Sequence, residues 1–340
     1  MGNIDIRNWE RGFVFRPKNP ATDFEMFDNV RIDGDMVKPR YGRFAYPVTG
    51  LLVDGYPVNG LYLLDANTGS LQIFLGFKSL DAWKSALNFT TGSWTKLTGS
   101  AGTYNNTYSY DWRFAEFIDT VGETVIAVNG IDAAQEFYFD TTVSFANLKI
   151  RNLAGSPPVA YYVCEFNAYM FMARNDTYAN RLWWSNFDNP RIWTGSDARD
   201  VGSGSRITGI FQNGTGLLIA KEDSFYVLES GIPLEVPLSC TVKFQGCKSP
   251  KSMIKIKDQL FYYWGNKIFI YPTQDIVELQ NDSIKNPQNI VLSHQERDNL
   301  LMIACCTSGT YNNQVYYMDL KTGMLSRDLG RSIFISIGQK

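Results

Sequence analysis

Histidine occurs once in this chain of 340 residues, as His294. A Ser-His-Asp or Cys-His relay would have to run through it. Its setting, LSHQERDN, reads as a polar strand end with the imidazole on the surface. Cysteine is sparse and badly spaced for chemistry. Five occur, two of them adjacent (Cys305 and Cys306), and none forms a Cys-x-x-Cys pair. That pattern argues against a disulfide framework and a zinc site and for small buried hydrophobes. With so few soft ligands a transition-metal centre is not expected.

Long apolar runs are missing too. No stretch approaches the ~20 residues needed to cross a bilayer, and the start, MGNIDIRNWERGF, is too polar for a signal peptide. Position 6 is Ile, so the myristoylation pattern is incomplete. The expectation is a chain made and kept in a reducing cytoplasm. Charge of one sign is absent: the net charge is −2, which gives no bulk attraction for nucleic acid. No Walker A loop and no Gly-x-Gly-x-x-Gly occurs.

What the chain has is aromatics, at 14% of its residues, within a hydrophobic content of 44%. They sit in short runs separated by Gly, Asn, Asp and Pro, and few segments hold helical periodicity for ten residues. The runs group in fours, save for a first unit that shows three. The first unit holds 60–66, 70–78 and 93–97. The second holds 112–119, 124–130, 136–140 and 143–148. The third holds 159–166, 168–174, 181–186 and 191–195. The fourth holds 206–212, 216–223, 224–230 and 238–244. The fifth holds 252–257, 259–265, 267–272 and 276–280, and the sixth 289–294, 299–306, 314–320 and 323–329, with 332–337 left over. A period near ~45 residues predicts an all-β fold, a β-propeller of about six four-stranded antiparallel blades. The leftover strand could pair with the first blade. A β-sandwich or barrel is the alternative.

Residues 1–45 differ. Rich in Arg, Pro and Asp and weak in periodicity, they read as an extended N-terminal arm ahead of a propeller at 46–340. The arm carries apolar anchors at Trp9, Phe13, Phe15, Phe24, Met26 and Phe27, with Arg16, Arg31 and Arg40 able to add bidentate contacts. It is expected to mediate assembly.

Asp- and Asn-rich loops at 28–35 and 186–190 are the calcium candidates, with Asx-turns as the competing reading. Ser185, Asp188 and Trp193 approach the sialidase turn motif in composition but not in spacing. Trp183, Trp184 and Trp264 could stack on sugars in a glycosidase or lectin, or simply pack blades.

Several segments together resemble a known family. The arm contains RGFVFRPKNP and then NVRIDGD at 29–35, followed by a basic-Pro-Arg-x-Gly step at 38–42. A blade carries an Asn-Gly-x-Asp turn made by Asn129, Gly130 and Asp132. A later blade carries Trp184, Asn189, Pro190 and Trp193 in WSNFDNPRIW, and GCKSP lies further on. In these features the chain resembles the β-propeller tail proteins of short-tailed bacteriophages: tail hub, nozzle or packaged-DNA-stabilisation proteins. The resemblance implies a structural virion protein of the tail, not an enzyme, with no cofactor. It implies a cyclic homo-oligomer, a hexamer in most relatives, forming a ring below the portal and adaptor. Other tail proteins (portal-adaptor, tail fibre or needle) would be its partners. DNA would pass through without sequence recognition, and assembly would take place in the host cytoplasm. The alternatives are the carbohydrate-active propeller and a generic protein-binding propeller scaffold.

Overall fold

The structure is a computed structural model. It describes residues 27–28, 30–33, 36–39, 58–66, 71–78, 81–86, 94–97, 111–120, 122–257, 259–279, 284, 290–295, 299–307, 314–323 and 325–329. Among these, helix is confined to one 3-10 turn at Pro250–Ser252, and everything regular besides it is β.

Three strands precede the blades: β1 (Phe27–Asp28), β2 (Val30–Asp33) and β3 (Met36–Pro39). The first blade is β4 (Val58–Ala66), β5 (Leu71–Lys78), β6 (Asp81–Ala86) and β7 (Thr95–Lys96). The second is β8 (Arg113–Asp119), β9 (Gly122–Val128), β10 (Gln135–Phe139) and β11 (Leu148–Asn152). The third is β12 (Tyr162–Phe166), β13 (Tyr169–Ala173), β14 (Arg181–Trp184) and β15 (Ala198–Asp200). The fourth is β16 (Ile207–Asn213), β17 (Gly216–Lys221), β18 (Ser224–Glu229) and β19 (Leu238–Lys243). The fifth is β20 (Met253–Ile256), β21 (Gln259–Trp264), β22 (Lys267–Ile270) and β23 (Gln274–Glu278). The sixth is β24 (Val291–Gln295), β25 (Leu300–Cys305), β26 (Gln314–Asp319) and β27 (Leu325–Leu329).

Every blade is an antiparallel meander in sequence order. Six four-stranded meanders in series make the chain a six-bladed β-propeller. It divides into two compact units. One takes 44–246, with the first four blades, and 336–340. The other takes 1–43 and 247–335, with the last two blades.

Within the first unit, period-2 alternation explains why the strands are apolar on both faces. In β9, Val125 and Ala127 join a cluster with Leu64, Ile73 and Phe77 of the first blade. Their neighbours Ile126 and Val128 join a cluster with Val163, Met170 and Met172 of the third. In β13, Met170 and Met172 face the second blade, while Phe171 and Ala173 meet Ile207, Leu217 and Ile219 of the fourth. The second and third blades are thus each sandwiched by their neighbours. Aromatics fill the gaps: Phe77 stacks on Trp112 with ring centroids 3.9 Å apart. In the second unit, Phe261, Ile268, Leu301, Ile303 and Tyr316 form one cluster spanning both blades.

Four expected elements move. In the first blade, β6 at 81–86 is a strand beyond the three expected runs. Residues 143–147 are turn rather than strand, and β11 begins at Leu148. Residues 191–195 are likewise loop, and the fourth strand of the third blade is β15. Within the arm, β1 pairs in parallel with β27, Phe27 opposite Ser326, as a fifth strand of the sixth blade. That part of the arm covers a sheet edge of its own chain, which blunts unwanted pairing. Residues 332–337 lie outside the described residues.

Candidate functional site

The segment 184–193 holds the densest polar chemistry of the first unit. Trp184, at the end of β14, is 3% exposed and packs in the core with Phe171. The chain then turns back on itself. Ser185 Oγ accepts a hydrogen bond from Met170 N at 3.0 Å, Asn186 N donates to Ile192 O at 2.8 Å, and Asp188 N donates to Ala168 O at 2.8 Å. Asn189 Oδ1 accepts from Arg191 N at 3.0 Å, and Trp193 Nε1 donates to Pro190 O at 2.8 Å. Asn189 thus closes an Asx-turn, the competing reading for this calcium candidate. Among the described residues no group of three His, Cys, Asp or Glu side chains lies close enough to hold a metal ion.

The turn aims Arg191 at the second blade. Its Nε donates to Glu136 Oε1 at 2.8 Å, and its Nη1 pairs with Asp119. Arg151 Nε donates to Glu136 Oε2 at 2.7 Å, and its guanidinium lies 4.1 Å from the centre of the Tyr138 ring. The Glu136 side chain is fully buried and that of Asp119 is 3% exposed. Burial alone would pull the Arg191 pKa down, but Glu136 and Asp119 hold it above its ordinary value. The product is a fully paired ionic brace between the second and third blades, with no carboxylate free for general acid-base work.

The other sequence-selected turn is equally occupied. Asn129 Oδ1 accepts from Ile131 N and Asp132 N, and its Nδ2 donates to Asp132 Oδ2 at 2.6 Å. Gly130 takes φ +84°, and a Cβ there would lie 2.2 Å from the Tyr161 ring. The turn seats the third blade's Tyr161 against the second blade.

Two buried lysines went unread in the sequence. Lys84 of β6 donates to Phe145 O at 2.5 Å and Leu148 O at 2.9 Å in the second blade. Lys221 of β17 donates to Val201 O at 2.8 Å and Ser203 O at 3.1 Å. Burial lowers the pKa of both. Each ammonium ties a neighbouring loop by its carbonyls. Lys84→Met should therefore lower stability by about 1–3 kcal/mol, the penalty for stranding buried carbonyls, read from the urea midpoint. A stabilised variant would mean that the cost of burying the cation dominates.

The remaining candidates disperse. His294 is half-buried within β24, opposite Leu301, with Nε2 shielded from solvent. It is not the surface side chain expected, because β24 extends to Gln295 and carries it into the sheet. All five cysteines are free; Cys247, Cys305 and Cys306 are buried, whereas Cys164 and Cys240 are only half-buried. Burial pushes the Cys247 thiol up to about 11, which suppresses the reactive thiolate. Trp183 lies edge-on to Tyr178 and Trp264 edge-on to Phe269. Of the arm residues, Phe27 lies on β1 and Arg31 on β2. Trp9, Phe13, Phe15, Arg16, Phe24 and Arg40 lie outside the described residues. No helix of the described residues is long and apolar enough to cross a membrane.

No family model matches this chain, and no curated protein matches its sequence. Solved structures do. The chain is similar to an extracellular domain described as that of a hybrid two-component system of B. thetaiotaomicron. The TM-score is 0.56 at 10% identity over 89% of this chain, which spans 41% of that one. A functionally unknown protein of Desulfotomaculum acetoxidans gives a TM-score of 0.52 at 12% identity, covering 84% of this chain and 88% of the other. The Cps50 (Swd1) β-propeller domain of Myceliophthora thermophila gives 0.52 at 9% identity, covering 86% and 91%. At these identities the likeness carries the fold alone, and a fold does not fix a function.

Proposed function

We propose that this chain is a structural tail protein of a short-tailed bacteriophage. In this reading it is a propeller subunit of a homo-oligomeric ring, a hub or nozzle, that extends the DNA exit channel below the portal and adaptor. The observation that carries the reading is the role of the residues behind the family resemblance. Asn129, Gly130, Asp132, Trp184, Asn189, Pro190 and Trp193 all serve turns, plugs and cross-blade braces. A protein that must stay stiff while DNA is driven past it needs such residues. An enzyme would instead leave polar groups facing a cleft. The brace formed by Arg191, Glu136 and Asp119 fits the same purpose, since it ties blades without offering a reactive group. The net charge of −2 gives no bulk grip on the phosphate backbone. In this reading the chain is not an enzyme.

The test is particle mass by light scattering, with and without purified portal-adaptor complex. The expected species alone is a closed ring, a multiple of the 38.5 kDa chain, that binds the portal-adaptor complex as one particle. A chain that remains a monomer in both arms overturns the reading.

A further inference from the structure

In an up-and-down blade the first and third hairpin loops share one end, and the second loop and the link to the next blade share the other. At the first-loop end of the second, third and fourth blades lie Ile118 (72% exposed), Val143 (41%), Phe187 (62%), Ile192 (46%), Ile232 (53%) and Leu234 (57%). The only other large hydrophobics comparably exposed among the described residues, Tyr178 and Phe244, lie at the opposite end. One end of these three blades therefore carries six of the eight exposed large hydrophobics among the described residues.

Four of these side chains, Phe187, Ile192, Ile232 and Leu234, ride on pinned loops. Phe187 packs edge-on against Tyr169, with ring centroids 5.4 Å apart. Its loop is held by the hydrogen bonds of Asn186, Asp188 and Asn189 and by Arg191 beneath it. The Ile232 and Leu234 loop is fixed by Arg199 Nη1, which donates to Pro233 O at 3.0 Å and Val236 O at 2.6 Å. Apolar groups held outward on fixed loops are the usual mark of an interaction surface.

The same end is acidic. Asp188, Asp197, Glu229 and Glu235 have no ion-pair partner among the described residues. Arg191, the basic residue of the 185–197 loop, is committed to Asp119 and Glu136, and Arg199, which borders both loops, is spent on the carbonyls of Pro233 and Val236, so four carboxylates face one cation that no carboxylate pairs among the described residues. A partner for this end must bring aromatic or aliphatic groups interleaved with cations.

The chain contains such a segment. Residues 7–18, RNWERGFVFRPK, set Arg7, Arg11, Arg16 and Lys18 against a single Glu10 and carry Trp9, Phe13, Val14 and Phe15. The segment lies upstream of β1, which is anchored on its own sixth blade. Between Lys18 and Phe27 a fully extended chain reaches at most ~30 Å. We propose that residues 7–18 dock on the apolar, acidic loop end of the second to fourth blades of a neighbouring copy. This inference rests on the homo-oligomeric reading and names its contact. A head-to-tail contact of this kind closes into a ring when the rotation permits.

Charge reversal in the full chain tests it. One variant carries Glu229→Arg and Glu235→Arg, the other Arg11→Glu and Arg16→Glu, and particle mass and a melting curve are read for each. Each variant alone is expected to fall to single-chain mass with an unchanged melt. Mixing the two is expected to restore the large particle, because each reversed arm then meets a reversed face. Variants that keep the wild-type mass overturn the docking while leaving the ring intact. Variants that keep the mass but melt at lower temperature place the arm on its own subunit, which also overturns it. A wild-type chain that is itself monomeric defeats the ring reading first. A mixture that stays at single-chain mass shows that the losses did not come from this pairing, and sinks the proposal.

Discussion

Arg191→Met is expected to lower stability by about 3–5 kcal/mol, the scale for removing one partner of a buried ion pair. The size follows from what is left behind. Glu136 loses one of its two guanidinium partners, and Asp119 loses its Arg191 contact. Both carboxylates are shielded from water, which cannot replace what is removed. Arg151 still reaches Glu136 but is 39% exposed, so its hold is screened. Met preserves much of the apolar stem, which separates lost charge pairing from lost packing. The measurement is chemical unfolding followed by tryptophan fluorescence. Adding Glu136→Gln and Asp119→Asn to Arg191→Met should recover a good part of the loss, because the stranded charges are gone. A single-variant effect under about 1 kcal/mol would mean that the brace is solvated and behaves as a surface pair.

The strands of the last three blades were legible because their inner members are apolar runs buried along their whole length, as in β17 and β26. Their runs are continuous, and Gly and Asn turns punctuate them. β17 shows this well: all six residues of GLLIAK are buried and its ends fall at clear turns. The misses have a common cause. β6 is DAWKSA, whose Lys84 reads as surface yet points inward to carbonyls of the second blade. β11 alternates Leu148 and Ile150 with Lys149 and Arg151, a weaker signal than the Phe-bearing VSFANL that overlaps its start. In RIWTG the apolar side chains belong to a loop: Ile192 faces outward and Trp193 closes a turn onto Pro190. Hydrophobicity located the segment but misread its shape. The brace was illegible in a different sense. Arg191 and Glu136 lie 55 residues apart, and nothing local marks either as paired. The parallel pairing of β1 with β27 joins nearly opposite ends of the chain through two residues, too few to show a period.

Gly155→Ala should be as damaging as the loss of Arg191, and for a geometric reason. Gly155 follows β11 and holds φ +83°, where an L side chain is strained. A Cβ there would lie 1.9 Å from Arg191 O and 2.7 Å from Arg191 C. The obstacle is backbone, so no rotamer change relieves it. That backbone is itself held on both sides, by Asn189 Oδ1 on Arg191 N and by Asn186 N on Ile192 O. Something must give: either the 153–158 loop lifts off or the 186–193 turn shifts and drags the Arg191 guanidinium from Glu136. Strain of about 1–3 kcal/mol adds to whatever part of the brace is lost, so a total near 3–5 kcal/mol is expected. The two routes separate in a double-mutant cycle. If the turn shifts, Gly155→Ala on top of Arg191→Met destabilises by clearly less than it does alone, since the brace is already gone. If the loop lifts instead, the two effects add. A Gly155→Ala chain that unfolds at the wild-type urea midpoint would mean that the loop accommodates the methyl group without disturbing Arg191, and the close approach would lose its structural importance.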